Sequence, residues 1–125
     1  MPSQIPILRQ GPYLIASLQS VLTDDEWLEL RSQLAQRVRD ARSRAVIIDV
    51  SSVDLLDSFA TRMLRSIAQI TRLRGAETVI VGIAPDVAFA MVQLGLTLEG
   101  ISTVLDLDEA MELLQARLAM QGNAR

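Results

Sequence analysis

The stretch that decides the fold is AVIIDVSSVDLLDSFATRML, residues 45–64. Its first six residues are a nearly continuous apolar run, which suits a strand covered on both faces better than a strand with one face in water. Aspartates and serines follow, and an amphipathic segment then begins near Ser58. A buried strand that leads through a polar loop into a helix predicts a parallel sheet covered by helices.

The segments before this stretch predict a hairpin and a helix. Two β-like runs, residues 5–8 and 13–18, are separated by the turn dipeptide Gly11-Pro12. Thr23 and Glu26 have the spacing of a capping box, and apolar residues recur after them at three- and four-residue steps. We therefore expect a short antiparallel element followed by an amphipathic helix.

The second half of the chain continues to alternate between strand and helix patterns. The apolar run 78–83 is of strand length, and Gly75 and Gly95 stand where helices are expected to end. The predicted order is β-β-α-β-α-β-α-β-α, an α/β fold with a mixed sheet of about four to five strands. The length of 125 residues suits a single domain over 1–125, with fraying expected at 121–125.

The residue inventory excludes most catalytic chemistry. The chain contains no Cys, no His and no Lys, since all 12 basic residues are Arg. Thiol and imidazole catalysis, Schiff-base lysines, P-loop lysines and His or Cys metal sites are therefore ruled out. We expect no cofactor, no metal and no enzymatic activity. The net charge of −3 argues against nucleic acid as a partner, because binding its backbone needs a dominant basic surface.

The same composition predicts a cytoplasmic protein without a membrane segment. Charged residues or glycines interrupt the apolar segments well before the roughly 20 apolar residues that a membrane span needs. The first four residues, Met-Pro-Ser-Gln, do not begin a signal segment. The absence of cysteine gives no sign of an oxidising compartment.

Carboxylates and serines gather after the strand at 45–50, at the edge of the sheet where α/β proteins usually carry their sites. Ser58 could simply cap the next helix, an interaction worth about 1 kcal/mol. Asp57 already offers a capping oxygen, so we expect the Ser58 hydroxyl to face solvent, where another protein can modify it. An alternative is a carboxylate-dependent hydrolase that uses Asp49, Asp54 and Asp57. A receiver-type phospho-aspartate is excluded because it requires a lysine.

A basic stripe is predicted along the helix that begins near Ser58. Its members follow Ser58 by four, seven, eleven and fourteen residues and are Arg62, Arg65, Gln69 and Arg72. A phosphate on Ser58 would be attracted by Arg62 and repelled by Asp54 and Asp57. It could thus reverse the local charge without unfolding the helix, and the stripe is a candidate partner surface. The alternative is an ordinary solvated helix face.

The segment VAFAMVQLGLTL, residues 87–98, is almost wholly apolar. A helix with so few polar positions lacks a side that faces water, so part of it is expected to contact another subunit or partner. Phe89 and Met91 are the candidate contact residues, and self-association is predicted. The simpler interpretation is that this helix is buried against its own sheet.

In this order and spacing, the motifs resemble the STAS domain family, named for sulfate transporters and anti-sigma-factor antagonists. The resemblance covers nearly the whole chain. It is greatest for the small single-domain antagonists of the bacterial stressosome. The residues that carry it, besides the hairpin, are DVSS at 49–52, DS at 57–58, GIAPDVA at 82–88 and LGLTLEG at 94–100.

The resemblance implies that Ser58 is the family's phosphorylated serine. It implies a switch-type serine kinase that the unphosphorylated protein sequesters and the phosphorylated protein releases, and a phosphatase that resets the switch. Co-assembly with larger, sensor-bearing STAS paralogues is also implied, so the chain would be a scaffold in a stress response. Phe59 stands where simpler sigma-factor antagonists usually carry a small residue, and this departure favours the stressosome branch. A ligand-binding STAS module without phosphorylation is the remaining alternative.

Overall fold

A mixed five-stranded sheet with helices on both faces is formed by residues 5–123, the part of the chain that the computed structural model describes. The observed order of elements is the predicted one, and the α/β fold class is confirmed. The elements are β1 (Ile7–Gln10), β2 (Tyr13–Ser17), α1 (Asp24–Ala41), β3 (Ala45–Asp49), α2 (Ser58–Leu73), β4 (Glu77–Val81), α3 (Pro85–Gln93), β5 (Ser102–Val104) and α4 (Leu107–Asn123).

The strands lie in the sheet in the same order as in the chain. β1 pairs antiparallel with β2, and Gly11, with a φ of 58°, lies in the turn between them. β2, β3, β4 and β5 are parallel to one another. Because the carboxyl ends of parallel strands meet at one edge, the loops after β3 and β4 lie side by side there. This edge carries the residues around Ser58.

Each face of the sheet has its own hydrophobic core. The main core lies under α1, α2 and α3, and Val46 and Ile48 of β3 point into it. The second core lies under α4, where Leu114 packs with Ile47 and Val79. β3 is therefore buried on both faces, as its continuous apolar run predicts.

Side chains cap the helices where the sequence predicts. The hydroxyl of Thr23 accepts a hydrogen bond from the Glu26 N–H at 3.1 Å, and the Glu26 carboxylate accepts one from the Thr23 N–H at 2.9 Å. Asp106 accepts a hydrogen bond from the Glu109 N–H at 2.8 Å before α4. Gly75, with a φ of 84°, follows the end of α2.

Within residues 5–123, no helix combines the length and the apolar character that crossing a membrane would require.

Several boundaries differ from the prediction: β2 ends at Ser17 rather than at 18, and β4 spans Glu77–Val81 rather than 78–83. β1 spans Ile7–Gln10 rather than 5–8, and it continues to Gln10 because that residue pairs with Tyr13 directly across the Gly11-Pro12 turn. α4 continues to Asn123, so residues 121–123 are helical where fraying is predicted. Ala124 and Arg125 lie outside the described residues, as do the first four residues of the chain.

Candidate functional site

The loop after β3 is fixed at its start by Asp49. The Asp49 carboxylate accepts hydrogen bonds from the N–H of Ser51 at 2.9 Å and from the hydroxyl of Ser51 at 2.6 Å. The N–H of Val50 donates to the carbonyl of Val81 at 2.9 Å, which extends the contact with β4 by one residue. Asp49 therefore shapes the loop.

Asp57 caps α2 and leaves Ser58 free. One carboxylate oxygen of Asp57 accepts a hydrogen bond from the Ala60 N–H at 2.8 Å, and the Asp57 carbonyl accepts one from the Thr61 hydroxyl at 2.9 Å. Ser58 is the first residue of the helix and is exposed. Its hydroxyl makes no hydrogen bond within residues 5–123. Asp57, not Ser58, is thus the capping residue, and Asp54 is a further exposed carboxylate in the same loop.

Phe59 and Arg62 contact each other on α2. The guanidinium carbon of Arg62 lies 5.9 Å from the centre of the Phe59 ring, a cation–π distance. Phe59 is half-buried against the main core, whereas Arg62 is exposed. The three-residue spacing of the pair is a signal for this contact that sequence reasoning missed. Arg62 is therefore held beside Phe59, one turn from Ser58.

The predicted basic stripe is only partly free for a partner. Gln69 is exposed and Arg65 is half-buried. The Arg72 guanidinium donates a hydrogen bond to the carbonyl of Gly100 at 2.7 Å, which ties α2 to the turn before β5. This internal role of Arg72 is absent from the prediction, which assigned the residue to a partner surface.

The apolar helix α3 has one buried side and one exposed side. Met91 is 6% exposed and packs in the main core with Val87, so its prediction as a contact residue is wrong. Phe89 is 65% exposed and Val92 is 77% exposed. The error arises because apolar residues occupy both sides of this short helix, so periodicity does not reveal which side is buried. Phe89 stays a candidate contact residue, and Val92 and Leu94 lie exposed nearby in the chain.

The carboxylates of this region do not form a metal site. Across residues 5–123, no three Asp or Glu side chains lie close enough together to hold a metal ion. Asp49 and Asp57 instead accept hydrogen bonds from main-chain N–H groups. The metal-binding form of the carboxylate-dependent hydrolase alternative, built on Asp49, Asp54 and Asp57, therefore lacks its ligand set, whereas its acid–base form stays an alternative.

The fold and the serine beside a helix cap define a class of protein. The STAS domain model matches residues 5–110, and the chain belongs to the STAS domain family. The family predicted from the motifs is thereby confirmed. The match includes every strand and the whole loop that leads to Ser58.

Particular members of the family are similar over nearly the whole chain. RsbS S58E from Moorella thermoacetica is 27% identical, with a TM-score of 0.80 over 94% of this chain and 99% of that one. A chain of the stressosome, a signal integration and transduction hub, is 26% identical, with a TM-score of 0.74 over 90% of this chain and 98% of that one.

A third relative matches over a shorter stretch. RsbRC from Bacillus subtilis (strain 168), an RsbT co-antagonist protein, is 42% identical over 55 residues, which is 44% of this chain and 20% of RsbRC. The chain thus matches about a fifth of the length of this co-antagonist. Most of RsbRC therefore has no counterpart in the match.

Proposed function

We propose that this chain is a stressosome scaffold subunit and phospho-switch, which sequesters a switch-type serine kinase and releases it when Ser58 is phosphorylated. The observation that carries the proposal is the exposed Ser58 hydroxyl beside a helix cap that Asp57 supplies. Since that hydroxyl has no hydrogen-bond partner within residues 5–123, a kinase can reach it without breaking the first turn of α2.

A phosphate on Ser58 acts mainly through its charge. It adds about −1.5 to −2 charges at pH 7. The amino end of α2 favours an anion by about 0.3–1 kcal/mol, whereas the exposed carboxylates of Asp54 and Asp57 oppose it. Arg62 can turn from the ring of Phe59 towards the phosphate, because it lies one turn further along the helix. We expect the helix to stay intact while the surface that meets the kinase changes its charge.

The relatives support the partners in this proposal. RsbS and the stressosome chain match over nearly their whole lengths, and the RsbR proteins are RsbT co-antagonists. We infer co-assembly with larger, sensor-bearing STAS paralogues, self-association, and resetting by a phosphatase. In this proposal the chain acts in the cytoplasm. The kinase binds the ATP and transfers its phosphate, so the chain needs no catalytic activity of its own.

Intact-mass spectrometry tests which residue is modified. The purified chain is incubated with ATP and the candidate kinase, and the wild type is compared with Ser58→Ala and Ser52→Ala. Ser52 is a matched control because it is an exposed serine in the same loop. The wild type and Ser52→Ala should each gain one phosphate, and Ser58→Ala should gain none. Phosphorylation of Ser58→Ala would show that the site lies elsewhere, and a wild type that gains no phosphate would favour the ligand-binding alternative.

A pull-down with immobilised kinase tests the switch itself. Ser58→Ala should stay bound in the presence of ATP, whereas the wild type should be released. Ser58→Asp should be released only in part, because a carboxylate carries one negative charge and a phosphate carries about −1.5 to −2. If Ser58→Ala leaves the kinase as readily as the wild type, phosphorylation of Ser58 does not control release.

A further inference from the structure

Four arginines surround a cleft at the edge of the sheet opposite to Ser58. The cleft has a volume of about 500 Å³ and lies where α1 and α2 end and β3 begins. Arg44 directly precedes β3, whereas the loop to Ser58 follows β3, so the two sites lie at opposite ends of the same strand. The polar side chains that line the cleft are Arg39, Arg42, Ser43, Arg44 and Arg74.

These arginines have almost no partners among the side chains that the structure describes. Arg39 forms an ion pair with Asp40 at 3.4 Å, and both side chains are more than half exposed. The side chains of Arg42, Arg44 and Arg74 make no ion pair or hydrogen bond within residues 5–120, whose side chains the structure describes. Their positive charges therefore face a shared space without a carboxylate among them.

The neighbouring cleft, between α2, α4 and β5, shows a different arrangement. It is lined by two arginines, Arg72 and Arg117. Arg72 donates to the carbonyl of Gly100, and Arg117 pairs with Glu77 and donates to the hydroxyl of Ser102. Both arginines of this neighbouring cleft are therefore bonded within the chain. Arg42, Arg44 and Arg74 differ from them because their guanidinium groups have no such bonds.

The negative ends of the two helix dipoles do not offset all of the positive charge of the arginines. Arginines are favourable at the carboxyl end of a helix, and α1 ends beside Arg42 while α2 ends beside Arg74. Each helix end carries about −0.5 charge, so two ends offset about one arginine. Asp40 pairs with Arg39, and Glu77, which lies beside Arg44, pairs with Arg117, so the four arginines still leave the cleft positive after that correction.

Ser43 supplies a second, independent observation. It lines the cleft and is 5% exposed as a residue, and its hydroxyl makes no hydrogen bond among the described side chains and backbone; the hydroxyl oxygen itself is not fully buried, so it is open to the cleft. The hydroxyl can therefore donate to a molecule in the cleft without breaking an existing side-chain hydrogen bond. A bound oxyanion would accept a hydrogen bond from this hydroxyl.

We propose that this cleft binds a phosphate dianion, either free or as a monoester on another molecule. A guanidinium fork matches phosphate oxygens with two parallel hydrogen bonds, and a dianion with three or four oxygens can accept from several forks at once. A carboxylate, with one charge and two oxygens, occupies a single fork. The volume of about 500 Å³ lies within the range of small-molecule sites, so the remainder of a monoester also has room.

NMR titration of the full chain at constant ionic strength tests the proposal. The probes are inorganic phosphate and a short peptide with one phosphoserine, and the controls are sodium acetate and the unphosphorylated peptide. Saturable shifts at the amides of Ser43, Arg44 and Gly75 with either phosphate probe support the site, and the tighter probe identifies the source of the phosphate. Shifts that do not saturate, or that acetate reproduces, overturn it.

Two double variants that each lose two positive charges distinguish phosphate binding in the cleft from an effect of net charge alone. Arg44→Gln/Arg74→Gln should weaken binding at least about tenfold, because each guanidinium supplies charge-assisted hydrogen bonds. Arg31→Gln/Arg62→Gln, whose positions lie towards the opposite ends of α1 and α2 and do not line the cleft, should weaken it less than about twofold, because distant surface charges are screened. Equal weakening by the two double variants would show that only net charge matters. Ser43→Ala should also weaken binding, and it leaves every charge in place.

Discussion

Gly82 lies so close to Ser51 that a Cβ atom on the glycine would be 2.7 Å from the Cβ of Ser51 and 3.2 Å from its Cα. Gly82 also has a φ of 80°, a left-handed conformation that other residues rarely adopt. The loop after β4 is thereby packed against the loop after β3. This close contact supports the start of the segment that leads to Ser58.

We therefore expect Gly82→Ala to lower the free energy of unfolding by about 2 kcal/mol or more, through backbone strain and a steric clash together. Urea denaturation measures the effect. Gly95→Ala is the matched control, because Gly95 has a φ of 70° but no atom within 4 Å of where its Cβ would be. That control should lose only the conformational part, about 1–2 kcal/mol. Equal losses in the two variants would contradict a role for the contact with Ser51.

Substitutions at the start of α2 should separate the cap from the proposed phosphorylation site. Asp57→Ala removes the carboxylate that accepts from the Ala60 N–H, and we expect it to destabilise the protein by about 1 kcal/mol. Asp57→Asn retains a capping oxygen and should be close to the wild type. Ser58→Ala should change stability by less than about 0.5 kcal/mol, because its hydroxyl is exposed and unbonded within residues 5–123. Urea denaturation that finds Ser58→Ala as unstable as Asp57→Ala would mean that the hydroxyl is not free.

Thr71 and Thr78 form a buried pair of hydroxyls between α2 and β4. Their oxygens lie 2.8 Å apart, and the Thr71 hydroxyl also donates to the carbonyl of Ala68 at 3.2 Å. Thr71→Val should lower the free energy of unfolding by about 1–3 kcal/mol, because it leaves the Thr78 hydroxyl buried without its partner. The double variant Thr71→Val/Thr78→Val should lose less than the sum of the two single losses. A double-mutant cycle with additive losses would show that the two hydroxyls do not depend on each other.

Substitution of Arg72 should lower stability, whereas substitution of Arg62 should weaken kinase binding. Arg72→Gln loses the hydrogen bond to Gly100 and should cost about 0.5–1.5 kcal/mol of stability. Arg62→Gln should leave stability nearly unchanged and should weaken binding of the proposed kinase, because the exposed Arg62 lies one turn from Ser58. Urea denaturation and a kinase binding assay on both variants test this division. A kinase affinity that falls only with Arg72→Gln would contradict it.

Much of the architecture is local enough to be predicted from the sequence. The capping box of Thr23 and Glu26 joins residues three positions apart, and the cap of Asp57 on Ala60 has the same spacing. Apolar runs and three- to four-residue periodicity likewise depend on neighbours in the chain, so the order of strands and helices could be predicted. The side of α3 that is buried could not, since Phe89 and Met91 are both apolar.

By itself, the amino-acid sequence determined the order of the elements, the absence of Cys, His and Lys chemistry, and the placement of Ser58 directly after a capping aspartate. Only the tertiary structure decided which side chains are free. It bonds Arg72 to Gly100, 28 residues away, and brings Arg74 beside Arg44 in one cleft. The reason is physical: caps and periodicity depend on residues within a helical turn, whereas these contacts depend on how the crossover helices return the chain to the sheet.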